Sequence, residues 1–351
     1  MDFATYVQRV PKIELHCHLE GTLRPQTVVE LAAKNGIELP TTDVSSIYNY
    51  STIYEFLEIF RLVNSTLMTE EDFARAAYES LEDGVQSSNL RYREMFFNPT
   101  LHTTRGVSTG TVLDGLAAGC RAAEADFGVG CRLIADVYRQ DPPAVARQMV
   151  EEVVAHPCEH LIGIGMDAAE APDPPERFVD AYTLAGRAGL RRTAHAAEDG
   201  PAANIATCLD LLGCERIDHG YHILEDPALV ARCRDTGIFF TCCPVSTSVV
   251  YGWPDMATHP ITEMVAAGLQ VMLNSDDPAM FHTDLSREYR ELCTANGYGP
   301  DMVRRFVLAG VDATWLDEAE QRRLREEFVV ALNALDAELD PEMRPAPLKA
   351  T

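Results

Sequence analysis

Four short stretches carry side chains that could do chemistry together. The first is Pro11-Lys-Ile-Glu-Leu-His16-Cys17-His18-Leu-Glu20-Gly21. Ile13 and Leu15 alternate with Glu14 and His16 before a glycine, the pattern of a strand running into a turn. Residues two apart on a strand face the same side, so His16 and His18 project together and can share one metal ion. The second stretch, His195-Ala-Ala-Glu198, places an imidazole three residues before a carboxylate. The third is Asp218-His219-Gly220 and the fourth Asn274-Ser-Asp276-Asp277-Pro278. His16, His18, His195 and Asp276 make a nitrogen and oxygen donor set that suits zinc, with a position left for water. Zinc lowers the pKa of water from about 15.7 towards about 7. Glu198 is then placed to shuttle protons. His219 is placed to hold the attacking water, and Asp277 is left to bind a ring nitrogen of a substrate. A dinuclear centre bridged by a modified lysine is the competing chemistry. The only lysines are Lys12, Lys34 and Lys349, none on a middle strand. A bridging glutamate stays open, and one metal is favoured.

Something must bring these four stretches to one place. Short apolar runs recur along the chain, each followed by a helical pattern. They are Tyr92–Phe97, Arg132–Val137, Leu161–Met166, Leu190–Ala194, Arg216–Asp218, Ile238–Cys243 and Leu269–Asn274. With the first strand they make about eight β/α units, the count of a closed parallel (β/α)8 barrel. In such barrels the active site lies at the C-terminal ends of the strands, which is where all four stretches fall. Extra helices are expected after the first strand and at the C-terminus. Tyr54–Val63 has apolar residues at helical spacing and is a candidate cover over the site. Thr69-Glu-Glu-Asp72 reads as a capped helix start, with Phe73, Ala77 and Leu81 on one face and Gly84 as the stop. Asp317 and Glu320 suit a capping box for a last helix with Leu324, Phe328 and Leu332 along one face. Gly163-Ile-Gly165 lacks the third glycine of a dinucleotide fingerprint and reads as a close-packing device. No linker divides the chain, so residues 1–351 are read as one barrel domain.

Composition narrows the partners. The formal charge of the 351 residues is −25, which repels nucleic-acid backbones. If the substrate contains a purine, it is expected to be a free small molecule rather than DNA or tRNA. No phosphate-binding GxxxxGK[ST] loop and no run of about eighteen apolar residues is present, so no membrane is expected. The N-terminus lacks a basic segment followed by an apolar one, and ten scattered cysteines show no CxxC pattern. A reduced, cytoplasmic setting is expected, and assembly into a homo-oligomer stays open.

Taken in order, PKIELHCHLEG, REMFFNP, HAAE, RIDHG and NSDDP resemble the adenosine deaminase family of the amidohydrolase superfamily over nearly the whole chain. The resemblance implies an amidohydrolase-like barrel with one zinc ion per chain. It implies hydrolytic replacement of the 6-amino group of a purine by oxygen. It makes His16, His18, His195 and Asp276 the metal ligands. It has Glu198 protonate purine N1, His219 orient the hydroxide and Asp277 bind N7. Glu20, His18, Ala169 and Glu170 fall at substrate-contacting positions. An adenosine-like nucleoside, going to inosine and ammonia, is the default substrate. Two features lean elsewhere. Adenosine-specific members usually have Asp where Glu20 stands, and adenine deaminases have Glu. Met166-Asp-Ala-Ala-Glu170 also looks more like the adenine branch. Aminodeoxyfutalosine and N6-substituted purines are further alternatives. Ala197, where the family commonly has Gly, leaves a catalytically inert purine-binding protein as the alternative class.

Overall fold

The computed structural model describes residues 1–349 apart from Gly252 and Pro254, with Ile53 described in its backbone only. Nine strands are present among them: β1 (Lys12–Glu14), β2 (Leu90–Phe97), β3 (Gly130–Tyr138), β4 (Leu161–Asp167), β5 (Arg191–Arg192), β6 (His195–Ala196), β7 (Arg216–His219), β8 (Phe239–Cys242) and β9 (Gln270–Leu273). All pair in parallel, β1 to β5 in one run and β6 to β9 in the next. β5 and β6 are two pieces of one stave. Thr193 N donates to Ile164 O, and Asp218 N donates to Ala194 O, so the ladder continues through the gap. The last stave meets the first where His18 N donates to Asp276 O at 2.9 Å and Asp276 N donates to His16 O at 3.2 Å. The result is the (β/α)8 barrel that the run of apolar segments predicts.

The first stave is shorter than its sequence suggests. Regular pairing ends at Glu14, because the side chain of Asn274 accepts the Leu15 N–H at 2.8 Å in place of a neighbouring backbone carbonyl. Pairing resumes as isolated bridges at Cys17 and His18. The histidines therefore sit on extended but irregular chain, still two residues apart and still on one side.

Two buried ion pairs lie inside the barrel. Arg93 meets Glu14 at 2.6 Å and Arg216 meets Glu94 at 2.7 Å. The Arg216 guanidinium also lies 4.1 Å from the centre of the Trp315 ring. Removing one partner of such a pair would strand the other charge at a cost of about 3–5 kcal/mol.

The helix Ile53–Ser65 starts at a Thr52 cap and lies over the C-terminal end of the barrel. The helix Glu70–Ser88 has the Thr69 capping box but does not stop at Gly84. A methyl group at Gly84 would lie 2.6 Å from Leu90 and 2.9 Å from Arg93. That glycine permits close packing, and Asn89 in the left-handed conformation ends the helix instead. Gly163 and Gly165 play the close-packing part read for them, against the Arg191 carbonyl and the Asp136 carboxylate. The last long helix, Glu318–Glu338, opens with the Asp317–Glu320 capping box and buries Phe328 and Leu332. No helix of the described residues is long and apolar enough to cross a membrane.

Candidate active site

All four motif stretches meet at the C-terminal end of the barrel. His16 Nε2 and His18 Nε2 each lie 3.3 Å from Asp276 Oδ1, and His18 Nε2 lies 3.2 Å from His195 Nε2. The donor atoms of His16, His195, His219 and Asp276 all fall within 4.8 Å of one another, and His18 shares a second such set with Asp276 and Asp277.

The surrounding hydrogen bonds fix what these atoms offer. The Thr241 hydroxyl donates to Asp218 Oδ1 at 2.7 Å, so its oxygen accepts from His16 Nδ1 at 2.9 Å. That leaves a lone pair on His16 Nε2, buried and without a hydrogen-bond partner, facing the Asp276 carboxylate. A lone pair and a carboxylate at that distance repel one another unless a cation joins them. Outward orientation of the other nitrogens by polar groups is the arrangement that metal-binding histidines show. His18 Nδ1 faces Asp167 Oδ2 at 3.6 Å and Asp136 Oδ2 at 3.9 Å, and His195 Nδ1 faces Asp218 Oδ2 at 4.0 Å. Burial opposes charge on His18, yet Asp277 and Asp276 outweigh it and push its imidazole well above the usual range. A cation relieves that same excess of negative charge. The residues present therefore fit a metal ion.

Beside this cluster lies a cavity of about 70 Å³. Its polar wall holds Glu198, His219 and Asp277, and its roof holds Phe56, Leu57 and Phe60 from the covering helix together with Phe281. Phe56 and Phe281 stack with ring centres 5.0 Å apart. Glu198 Oε1 is 3.4 Å from His219 Nε2. Burial, reinforced by Asp276, pushes the Glu198 carboxyl well above the usual range. Burial and neighbouring His16 push His219 well below its usual value. Burial raises Asp277 well above its range against the pull of His18. Burial thus favours the protonated carboxyl of Glu198 and the neutral ring of His219. Asp277 Oδ1 has no partner. It presses on Gly21, where any Cβ would fall 1.9 Å from that oxygen, which accounts for the glycine closing the first motif.

Three expected contacts divide. Ala169 lines the cavity and Glu20 and Glu170 do not. Glu20 is fully buried and accepts the Asn98 N–H at 3.0 Å, with His102 Nε2 at 3.3 Å. Glu170 lies beneath the turn after His195, its carboxyl filling the space over Gly200. Tyr138, Asp167, Ser246 and Tyr251 also face the cavity without having been singled out as contacts. Ser246 donates to Asp276 Oδ2 at 2.6 Å. Asp136 and Asp167 did leave a signal, since each is a carboxylate at the end of an apolar strand. Tyr251 left none, because an aromatic in a loop after a helix reads as ordinary packing.

A sequence model described as adenosine deaminase matches residues 11–331. An adenine deaminase of Streptomyces coelicolor is 36% identical over 319 residues, covering 90% of this chain and 93% of that one. The structure of an adenine deaminase from Arthrobacter aurescens superimposes with a TM-score of 0.87 at 34% identity, over 92% of this chain and 98% of that one. An amidohydrolase from Burkholderia ambifaria, solved with bound zinc, superimposes with a TM-score of 0.90 at 33% identity, over 95% and 94% of the two chains. By the span of the matching sequence and the motifs gathered at one end of its barrel, the chain belongs to the adenosine deaminase family.

Proposed function

We propose that this protein hydrolyses adenine to hypoxanthine and ammonia, using one zinc ion held by His16, His18, His195 and Asp276. The observation that carries the reading is the cavity of about 70 Å³ between Glu198, Asp277 and the roof of Phe56, Leu57, Phe60 and Phe281. One water needs about 10–15 Å³ of such space, so the cavity is small. It suits a flat base better than a base carrying ribose. The relatives named adenine deaminase support the same choice over the nucleoside that the sequence takes as its default.

Bound at this site, zinc supplies a Lewis acid that favours ionised water at neutral pH. The chain does the rest. Asp277, its carboxyl raised by burial, hydrogen-bonds purine N7. Glu198 gives its proton to N1 as water adds to C6, which localises the ring electrons where addition needs them. His219, neutral and beside Glu198, orients the attacking oxygen, takes the proton that the water gives up as it adds, and returns it to Glu198 at the end of the cycle. The carboxylate left on Glu198 then takes a proton from the added hydroxyl for the departing amine. The C6–N bond breaks, ammonia leaves, and the oxygen stays as the carbonyl of hypoxanthine. The roof excludes bulk water, which strengthens each of these contacts.

The test is a panel of adenine, adenosine, aminodeoxyfutalosine and an N6-methylated purine, followed by ammonia release and the ultraviolet shift. Adenine should give the highest kcat/KM. Faster turnover of adenosine would overturn the choice of substrate. No turnover of any 6-aminopurine by zinc-loaded protein, with Glu198→Gln equally inert, would favour an inert purine-binding protein instead.

A further inference from the structure

Two buried charged residues beside the cavity have no part in the reaction as written. Arg139 follows β3 and is fully buried. Its Nη2 donates to the carbonyl of His195, and its Nη1 donates to the carbonyl of Asp173 at 3.1 Å. Glu170 follows β4 and is 1% exposed, with Oε1 3.7 Å from Arg139 Nη2. Its carboxyl packs against Gly200, where a Cβ would fall 2.1 Å from Oε2. Both of its carboxyl oxygens are buried without a hydrogen-bond partner. The Glu170 N–H donates to Asp199 Oδ1 at 3.2 Å. The two residues thus reach the turn at its start, His195, at Asp199 and at its end, Gly200. Glu198 sits at the middle of that span.

We propose that Arg139 and Glu170 are positioning residues that clamp the His195–Gly200 turn from beneath and so set the reach of the Glu198 carboxyl to the substrate. The proposal rests on the deaminase reading and adds to it a role for two residues that do not face the cavity. The turn needs such a clamp. Ala197 holds φ at +56°, a conformation that disfavours L-residues by about 1–2 kcal/mol. A turn that is strained when isolated keeps its shape only when its surroundings over-determine it. Arg139 fixes the His195 carbonyl, while Glu170 ties its own N–H to Asp199 and packs its carboxyl against Gly200, which leaves the backbone little freedom to relax. A charged pair is costly to bury, and two apolar residues would fill the same volume. What they could not supply is a donor for the His195 carbonyl.

The experiment measures kcat, KM for adenine, zinc content and melting temperature for Glu170→Gln and Arg139→Lys, each alone and combined with Glu198→Gln. Glu170→Gln keeps the shape of the side chain and removes its charge, so it tests the clamp even if Arg139→Lys fails to fold. Displacement of a reacting group by about 1 Å can cost on the order of 100-fold in rate. The expected result is a drop in kcat of about 10- to 100-fold, with KM within about two-fold and zinc unchanged. In the Glu198→Gln background the same substitution should have no further effect, because the group being aimed is already disabled. A rise in KM with kcat unchanged would make Glu170 a substrate contact and overturn the proposal. Loss of zinc in step with activity would overturn it in favour of an effect through His195. A full additional loss in the Glu198→Gln background would also overturn it. Normal turnover by Glu170→Gln beside an active wild type sinks the clamp alone. An inactive wild type sinks the deaminase reading.

Discussion

Two sets of residues turn the chain through the left-handed region, and they do so with different amino acids. At the ends of helices the turning residues are glycines in four cases, Gly36, Gly128, Gly213 and Gly237, with φ near +70°, and Asn89 in a fifth. Around Gly36, Gly128 and Gly237 there is open space, so glycine is there for its backbone freedom alone. At the mouth of the barrel the turning residues are Ala168, Ala197, His219 and Asp276, with φ between +56° and +67°. Each follows or ends a strand and each lines or flanks the cavity. Two of them are there because glycine has no imidazole and no carboxylate. The comparison teaches that the scaffold relaxes its strain wherever the side chain is dispensable, and keeps it where the side chain or the exact bend is used.

The sharpest challenge to this contrast is at Glu198. Glu198→Gln should keep its zinc and lose about 100- to 10,000-fold in kcat, as expected when a proton donor is removed. Steady-state rates alongside metal analysis check this, and retained activity would remove the reason for the strained turn before it. Asp276→Gly comes next. It relieves φ of +63° and removes a carboxylate oxygen from the metal cluster in the same stroke. Zinc content should collapse while the metal-free protein unfolds at no lower denaturant concentration than metal-free wild type. Zinc retention would break the assignment of Asp276.

A third test contrasts the reactive mouth with a buried polar group that serves stability. The His102 ring accepts from Arg105 Nη2 at 2.9 Å through Nδ1 and faces Glu20 Oε1 at 3.3 Å through Nε2. That bonding requires a neutral ring with its proton on Nε2. Burial likewise lowers its affinity for a second proton below the usual value of 6.5. The unfolded chain therefore binds more protons than the folded one as pH falls through about 6.5. Stability contributed by the neutral ring is full above that pH and falls below it, by up to about 1.4 kcal/mol per pH unit. In urea melts from pH 7 to pH 5, His102→Gln should flatten this acid limb relative to wild type. An unchanged slope would show that other groups carry it.

The smallest effects test the comparison most directly. Ala197→Gly should raise stability by about 1 kcal/mol and Gly237→Ala should lower it by about the same amount, each because of the sign of φ. Equal and opposite shifts in denaturation midpoint would sharpen the contrast. Destabilisation by Ala197→Gly would mean that the methyl group is a packing contact in its own right.

The residues also explain which parts of this architecture could be read in advance. The staves were legible because parallel strands buried on both faces must be short and apolar. The helix starts at Thr69 and Asp317 were legible because capping uses specific side chains at fixed offsets. The four motif stretches were legible because imidazoles and carboxylates at strand ends have no packing reason to be there. Gly84 was misread because a glycine that ends a helix and one that admits a neighbour are the same letter. Which neighbour approaches is decided by Leu90 and Arg93 on the next strand. The gap between β5 and β6 falls at Thr193, whose hydroxyl bonds Asp218 at 2.7 Å across the sheet, a partner that no local pattern names. Arg139 looked like an ordinary loop arginine, since nothing local to it says that its guanidinium will end under His195. Glu20 takes its expected role from the family resemblance alone, and the tight 3-10 turn Glu20–Thr22 directs its carboxyl to Asn98.

The aromatic roof has one more consequence. Tyr50 holds the Met280 carbonyl at 3.1 Å and Arg61 holds the Tyr138 hydroxyl at 3.3 Å, so the ceiling is pinned at both ends while Phe56 and Phe281 stack between them. The stacked pair therefore offers a fixed apolar ceiling rather than loose side chains. A flat ring sliding beneath it finds its upper surface already in place.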